Sequence, residues 1–314
     1  MSSFESLGTS INDLGWWACL NIVLALTHQF QHGKSNREED REEDDEASGY
    51  FQNALGVSNQ LMTMHHKLSS VQALLGMSLI VLGTPNQAPV SLLTSSAIKL
   101  AHRIGLHRRY QEPGLSAAEI RVRNRVFWIA YALDKDISLQ TGEPPTQDDE
   151  DMDVELPFEN NLIQPGESYN VDFFNFRTRL AIIQGQIYKR LLSVKASKQS
   201  ATERVITARD LEAKLQTWRA SVPIEFIRGY YEPTYKVPTL ASNVYPISLQ
   251  LSYFKSLAVV YGSLPILPLY QNIAASESPV KRQIMSSQIA YATEARKVLK
   301  LLEFTPRRKY ACVW

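Results

Sequence analysis

The sequence predicts an all-α fold, a multi-helix array of antiparallel helices. Three observations carry that expectation. No segment of the 314 residues shows sustained alternation of apolar and polar side chains, the pattern of a half-buried strand. Apolar residues instead recur at steps of three and four in one segment after another. Between those segments stand helix signals: a Ser-x-x-Glu start, single glycines past the last apolar residue, and prolines just beyond.

The first helix is expected over Ile11–Phe30, as a core helix with Trp16, Leu20, Val23, Leu24 and Thr27 on one side. Its apolar stretch, Trp16–Leu26, is interrupted by Asn21 and is too short to span a bilayer. Residues 32–49 are polar and free of aromatics. Within them Arg37–Glu46 holds eight acids and two arginines, a net of −6 that leaves +7 for the rest of a chain whose total is +1. That composition predicts a disordered acidic linker. Order resumes at Tyr50 with YFQNAL, and Val71–Leu82 reads as a strongly apolar helix. Thr84–Ala88, containing Pro85, is expected to be a turn.

The next stretch, Ser95–Pro157, organises the chain. Leu93, Ala97, Leu100, Ala101 and Ile104 form one face of a helix, and Gly105 followed by Leu106 reads as its left-handed end. Ser116 and Glu119 have capping-box spacing. Beyond them Val122, Val126, Ile129 and Leu133 form a stripe, with Phe127, Tyr131 and Asp134 beside it, which predicts a wide buried face. Gly142 and Pro144-Pro145 end that helix. An irregular stretch runs from Pro157 to Tyr169. Phe173–Val194 then reads as a long helix with Phe173, Phe176, Leu180, Ile183, Ile187 and Leu191 on one stripe. Ile206–Ala220 and Pro246–Tyr261 read as two more, broken by LPILPLY. Pro279–Phe304 closes the chain with Ile284, Ile289, Ala292, Ala295, Val298 and Leu302.

Within Ser95–Pro157 the segments AIKLAHRIGLHRR, RNRVFWIAYALDKDISLQTGEPP and DMDVELP resemble the fungal-specific transcription factor domain, the middle homology region of fungal zinc-cluster transcription factors. Order, spacing and chemistry agree over the whole stretch. Ile104, Asn124 and Glu143 depart from the family's usual Leu, Arg and Arg, and Leu264–Leu267 depart from its usual Leu-His-Arg-Pro. On this resemblance the motif positions, structural or regulatory, are Gly105, Leu106, His107, Arg108, Arg125, Phe127, Trp128, Asp134, Gly142, Pro144, Asp151, Asp153 and Pro157. The implied layout is an N-terminal helix over 1–31, the acidic linker 32–49, and a regulatory domain over 50–314 that family members continue beyond.

The resemblance also implies a regulatory domain of a nuclear regulator of RNA polymerase II transcription, acting on a metabolic or biosynthetic gene set. Zinc and DNA contact belong, in that family, to a separate six-cysteine module. This chain has two cysteines, Cys19 and Cys312, so it is expected to hold no cofactor and to reach DNA through that module or a partner protein. It starts inside the helical domain and stops after RRKYACVW, which reads as a fragment or as a regulator working without its own module. A small-molecule effector, transcription co-regulators or a dimer partner are the implied partners, and a membrane is not.

Chemistry read from residue types alone is sparse. The six histidines include His65-His66 and His102 with His107, and neither pair shares a helix face. Asp149 and Asp153, four apart in DDEDMD, are the sharpest candidate, since hard cations such as magnesium seek carboxylate oxygens. The flanking prolines favour a solvated loop, where Asp149→Ala is expected to cost almost nothing. Asp134 reads either as a ligand contact or as half of an ion pair with Arg103 or Arg125, the pair being favoured. Arg121, Arg123 and Arg125, with Arg108 and Arg109, read as a basic face that pairs with the acidic loop. Three functions are therefore weighed: a transcription regulator, a stand-alone effector- or protein-binding module, and, least favoured, a magnesium-dependent all-α enzyme. The enzyme reading is set aside.

Overall fold

Every regular element is helical in the computed structural model, which describes residues 13–31, 39–64, 66–84, 88–109, 114–157, 168–223, 240–264 and most of 289–300. Among the described residues there is no strand, so the all-α expectation holds. The chain divides into two compact units. The first contains α1 (Leu14–Gln31), α2 (Glu39–Gly56), α3 (Ser58–Thr63), α4 (Leu68–Leu82), α5 (Ala88–Arg103), the start of α6 (Ala117–Thr141) as far as Asp134, and the loop from Thr146. The second contains the rest of α6 from Lys135, with α7 (Ser168–Ile187), α8 (Val194–Ser197), α9 (Ala201–Ser221) and α10 (Leu240–Gly262). No described helix is long and apolar enough to cross a membrane.

In the first unit α1 packs on α2 and α4, and α4 packs on α5. The face that α1 buries is not the expected one. Trp16 is 39% exposed, Leu20 41% and Val23 58%, whereas Ala18, Ile22 and Ala25 are buried. Small residues decide this, because they let helix backbones approach. A Cβ added at Gly15 would overlap Ser69, and one at Gly76 of α4 would lie 2.7 Å from Ile22 Cγ2. Asn21 also faces inward, where its Oδ1 accepts from Asn53 of α2 at 3.2 Å.

The expected acidic linker is a second correction. From Glu39 the chain is already helical, as part of α2; residues 32–38 lie outside the described residues. Glutamate is a strong helix former, and Ala47 and Ala54, two turns apart and both buried, anchor the helix. Half-buried Tyr50 also sets its ring 5.5 Å from that of His28 on α1. The expected turn at Pro85 lies outside the described residues.

In the second unit α7, α9 and α10 pack on one another. Their shared core includes Leu180, Ile187, Leu211, Leu215, Leu257 and Val260, joined by Leu139 from α6. The expected stripe on α7 is the observed one, but the helix does not run straight to Val194. It passes into a π turn at Tyr188–Leu192, and Ser193 then caps α8 by accepting from Ala196 N at 3.1 Å. A capping box, Ser200 with Glu203, starts α9 five residues before the expected Ile206. α10 likewise begins at Leu240, ahead of the expected Pro246. Buried Trp218 on α9 donates its Nε1 proton to Phe176 O at 3.0 Å and stacks on Tyr253.

Of LPILPLY, Leu264 is buried in this core, while residues 265–270, like residues 279–288, lie outside the described residues. In the last segment Ile289 of the expected stripe is exposed, whereas Ala292 and Ala295 are half-buried. Tyr291 packs inward instead, stacked on Phe254 at 5.3 Å, and Glu294 pairs with Arg219 at 3.5 Å.

Candidate functional site

The site begins where α5 stops. Gly105 has φ +74°, in the left-handed region where a Cβ is strained. Gly105 N donates to His102 O at 3.1 Å and Leu106 N to Ala101 O at 2.9 Å, the paired bonds of a Schellman turn. Leu106 is fully buried beneath it. The chain is thereby reversed, and the rings of His102 and His107 come together with centroids 4.7 Å apart. Sequence spacing concealed this pair, because a helix face is the wrong frame for residues on either side of a turn.

α6 starts as its capping box predicts. Ser116 N donates to Glu119 Oε2 at 2.8 Å and Glu119 N to Ser116 Oγ at 3.3 Å. These bonds hold the Glu119 carboxyl below its usual range. Val122 is exposed, but Val126, Phe127, Trp128, Ala130, Tyr131 and Leu133 are all buried. Arg123 donates to Ile104 O at 2.7 Å, tying α6 to an orphan carbonyl at the end of α5. Gly142, at φ +76°, ends the helix, its N–H donating to Ser138 O at 2.9 Å.

The acidic loop is docked rather than simply solvated. Asp134 accepts from the backbone N–H of Thr146 at 2.9 Å and of Gln147 at 3.1 Å. Asp134 is thereby a backbone clamp on the loop, a role that neither sequence reading, ion pair or ligand contact, includes. Gln147 reaches His102, with Oε1 and Nε2 2.5 Å apart. Asp149 lies on a single 3-10 turn, Asp149–Asp151, and accepts from the Tyr131 hydroxyl at 2.8 Å. Burial and the neighbouring carboxylates push that hydroxyl well above its usual pKa, so it stays a donor. Asp153 accepts from Arg109 N at 2.7 Å and donates its own N–H to His107 O at 3.1 Å. Arg109 also pairs with Glu155 at 2.8 Å, and Glu155 O accepts from Trp128 Nε1 at 2.8 Å. The expected pairing of basic cluster and acidic loop is observed at Arg109.

The motif positions thus divide. Gly105, Leu106, His107, Trp128, Asp134 and Asp153 meet around the docked loop, with Phe127 in the core beside Trp128. Arg108, Arg125 and Asp151 are exposed, and Pro157 is half-buried. Gly142 and Pro144 fall in the second unit. There, sequence reading missed a buried polar cluster. Asp136 accepts from Gln184 Nε2 at 3.0 Å and Lys255 Nζ at 2.7 Å, with Arg177 Nη2 at 3.4 Å. Burial alone would raise this carboxyl, but Arg177, Lys255 and Gln184 together hold it below the usual carboxylate range.

None of this geometry assembles a metal centre. Asp149 and Asp153 do not share a helix face, and each is committed to a partner. Among the described residues no three His, Cys, Asp or Glu side chains are placed to hold a metal ion. The Cys19 thiol is partly buried and pushed up to about 11, so it is not the thiolate that zinc binds. The described residues therefore do not fit the zinc ions of a six-cysteine module.

Comparison with known proteins supplies the context. The model of the fungal specific transcription factor domain matches residues 18–220. The chain is 39% identical, over 96% of its length, to an ABC-transporter-regulating transcription factor of Aspergillus oryzae, and covers 34% of that protein. It is 37% identical over 96% of its length to a protein of the same description in Aspergillus fumigatus, again covering 34%. It is 34% identical over 78% of its length to the Fusaridione A cluster transcription factor of Fusarium heterosporum, covering 45%. The chain thus spans between a third and a half of the length of these relatives. No solved structure is significantly similar. The match covers α2–α8 in full and nearly all of α1 and α9, including the turn, the core helix and the docked loop, and the chain belongs to the fungal specific transcription factor domain family.

Proposed function

We propose that this chain is the regulatory domain of a fungal transcription regulator, acting in the nucleus on RNA polymerase II transcription of a metabolic or biosynthetic gene set. One observation carries the reading: similarity over 96% of the chain to proteins described as transcription factors. Those relatives are described as regulating an ABC transporter or as the transcription factor of the Fusaridione A cluster, which supports the kind of gene set proposed. The chain works by binding rather than turnover. Its motif carboxylates Asp134 and Asp153 are committed to structural partners, and the proposed role of the motif residues is to set the shape of a regulatory surface. DNA contact comes through a separate zinc-bearing module or a partner protein, and the domain takes input from a small-molecule effector or a co-regulator.

The test is removal of the gene in its fungal host, with measurement of transcript abundance. A coordinated change in one transporter or biosynthetic gene set is expected, restored by the reintroduced gene. An unchanged transcript profile, under growth with and without xenobiotic challenge, contradicts the reading.

A further inference from the structure

His102 and His107 meet at the point where the acidic loop docks. Gln147 Nε2 donates to Asp148 O at 2.6 Å, which turns its Oε1 toward His102 and makes His102 Nε2 the donor. Gln147 is itself fixed by Asp134, through its backbone N–H. On the other side of the pair, His107 O accepts from Asp153 N, and Asp153 holds Arg109 N. Each histidine therefore belongs to one of the two clasps on the loop. His107 Nδ1 is buried with no hydrogen-bond partner, a position that suits a bare ring nitrogen and not an N–H.

We propose that His102 and His107 form an acid-sensitive latch that holds the acidic loop on the turn after α5. Protonating His107 places a new, buried N–H where no acceptor stands, and sets a cation against the His102 ring. The ring then leaves its seat, and the loop loses the turn it is bonded to.

Among the described residues, His107 is faced by His102 from α5, Arg108 on its own turn, and Asp151 and Asp153 from the loop. Burial, His102 and Arg108 disfavour the proton; the two aspartates favour it but weigh less, so the His107 pKa lies below its usual value. The sign follows. The folded state binds this proton more weakly than the unfolded chain, so loop docking is complete at neutral pH and weakens as pH falls below about 6.5. The range from pH 5 to 7.5 spans the ordinary histidine pKa of about 6.5.

The experiment is hydrogen exchange of the loop amides of Thr146–Glu155 in the full chain from pH 7.5 to 5, corrected for intrinsic rates. Protection is expected to fall about tenfold for each unit of difference between folded and unfolded pKa. In His107→Phe it should not vary with pH. His66→Gln, which removes the partner of Arg103, should behave as the parent. Flat or rising protection in the parent on acidification overturns the proposal, as does a His107→Phe variant that keeps the parent's dependence. If His107→Phe does not fold, the parent's own His107 ring titration decides, and a midpoint at or above about 6.5 also overturns it.

Discussion

Asp149 marks the difference between a charge run and a docked loop. On composition alone its carboxylate belongs to solvent, and its loss is free. Its bond to the buried Tyr131 hydroxyl changes that. Removing an acceptor from a buried donor costs about 1–3 kcal/mol, so Asp149→Ala is expected to lower stability by about that amount. Tyr131→Phe removes the same bond from the other end, and the double variant should cost less than the sum of the two, because the groups share one interaction. Chemical denaturation of the four proteins checks it; strict additivity would detach Asp149 from Tyr131. The carboxylate was visible in the sequence, but its partner was not, since that depends on where the loop folds back.

Elements were legible where their signals are local. Gly105, the Ser116–Glu119 box and Gly142 each act within one turn of chain, and all three are observed where the sequence placed them. The burial of α6 was legible for a related reason, since its apolar face is wide enough to leave little ambiguity. On α1 bulk does not mark the buried face: Gly15, Ala18, Ile22 and Ala25 line the closer approach. Gly76→Ala on α4 should therefore destabilise by about 1–3 kcal/mol, the usual cost of overpacking, because its Cβ would meet Ile22. Val23→Ser, on the exposed side, should stay within about 0.5 kcal/mol of the parent. Thermal melting of both variants reads the rotation of α1, and the reverse order would contradict it.

Asp136 was illegible for another reason: its partners Gln184 and Lys255 lie 48 and 119 residues away. Asp136→Asn strands two buried or part-buried cations and should cost about 3–5 kcal/mol at neutral pH. The folded pKa of this carboxyl is depressed, so its contribution is present above the unfolded value of about 3.9 and is lost as pH falls below it. The Tm gap between parent and Asp136→Asn should accordingly narrow below about pH 4. A gap that stays constant down to pH 2 would show that the carboxylate is not held by charge.

At the scale of the whole molecule, the proposed contribution of this chain to gene regulation is a helical core that shapes a regulatory surface. Phe127 is fully buried in α6, and Phe127→Ala should cost about 3–5 kcal/mol. That is a large share of the roughly 5–15 kcal/mol by which a domain is stable. Val122→Ala, on the exposed side of the same helix, should cost little. The direct measurement fuses the 314-residue chain to a DNA-binding module of known site and reads transcription of a reporter bearing that site in a fungal host. The account predicts that the parent and Val122→Ala change reporter output, in the same direction, relative to the module alone, and that Phe127→Ala does not. A parent fusion indistinguishable from the bare module, at matched protein level and with or without xenobiotic challenge, would contradict it.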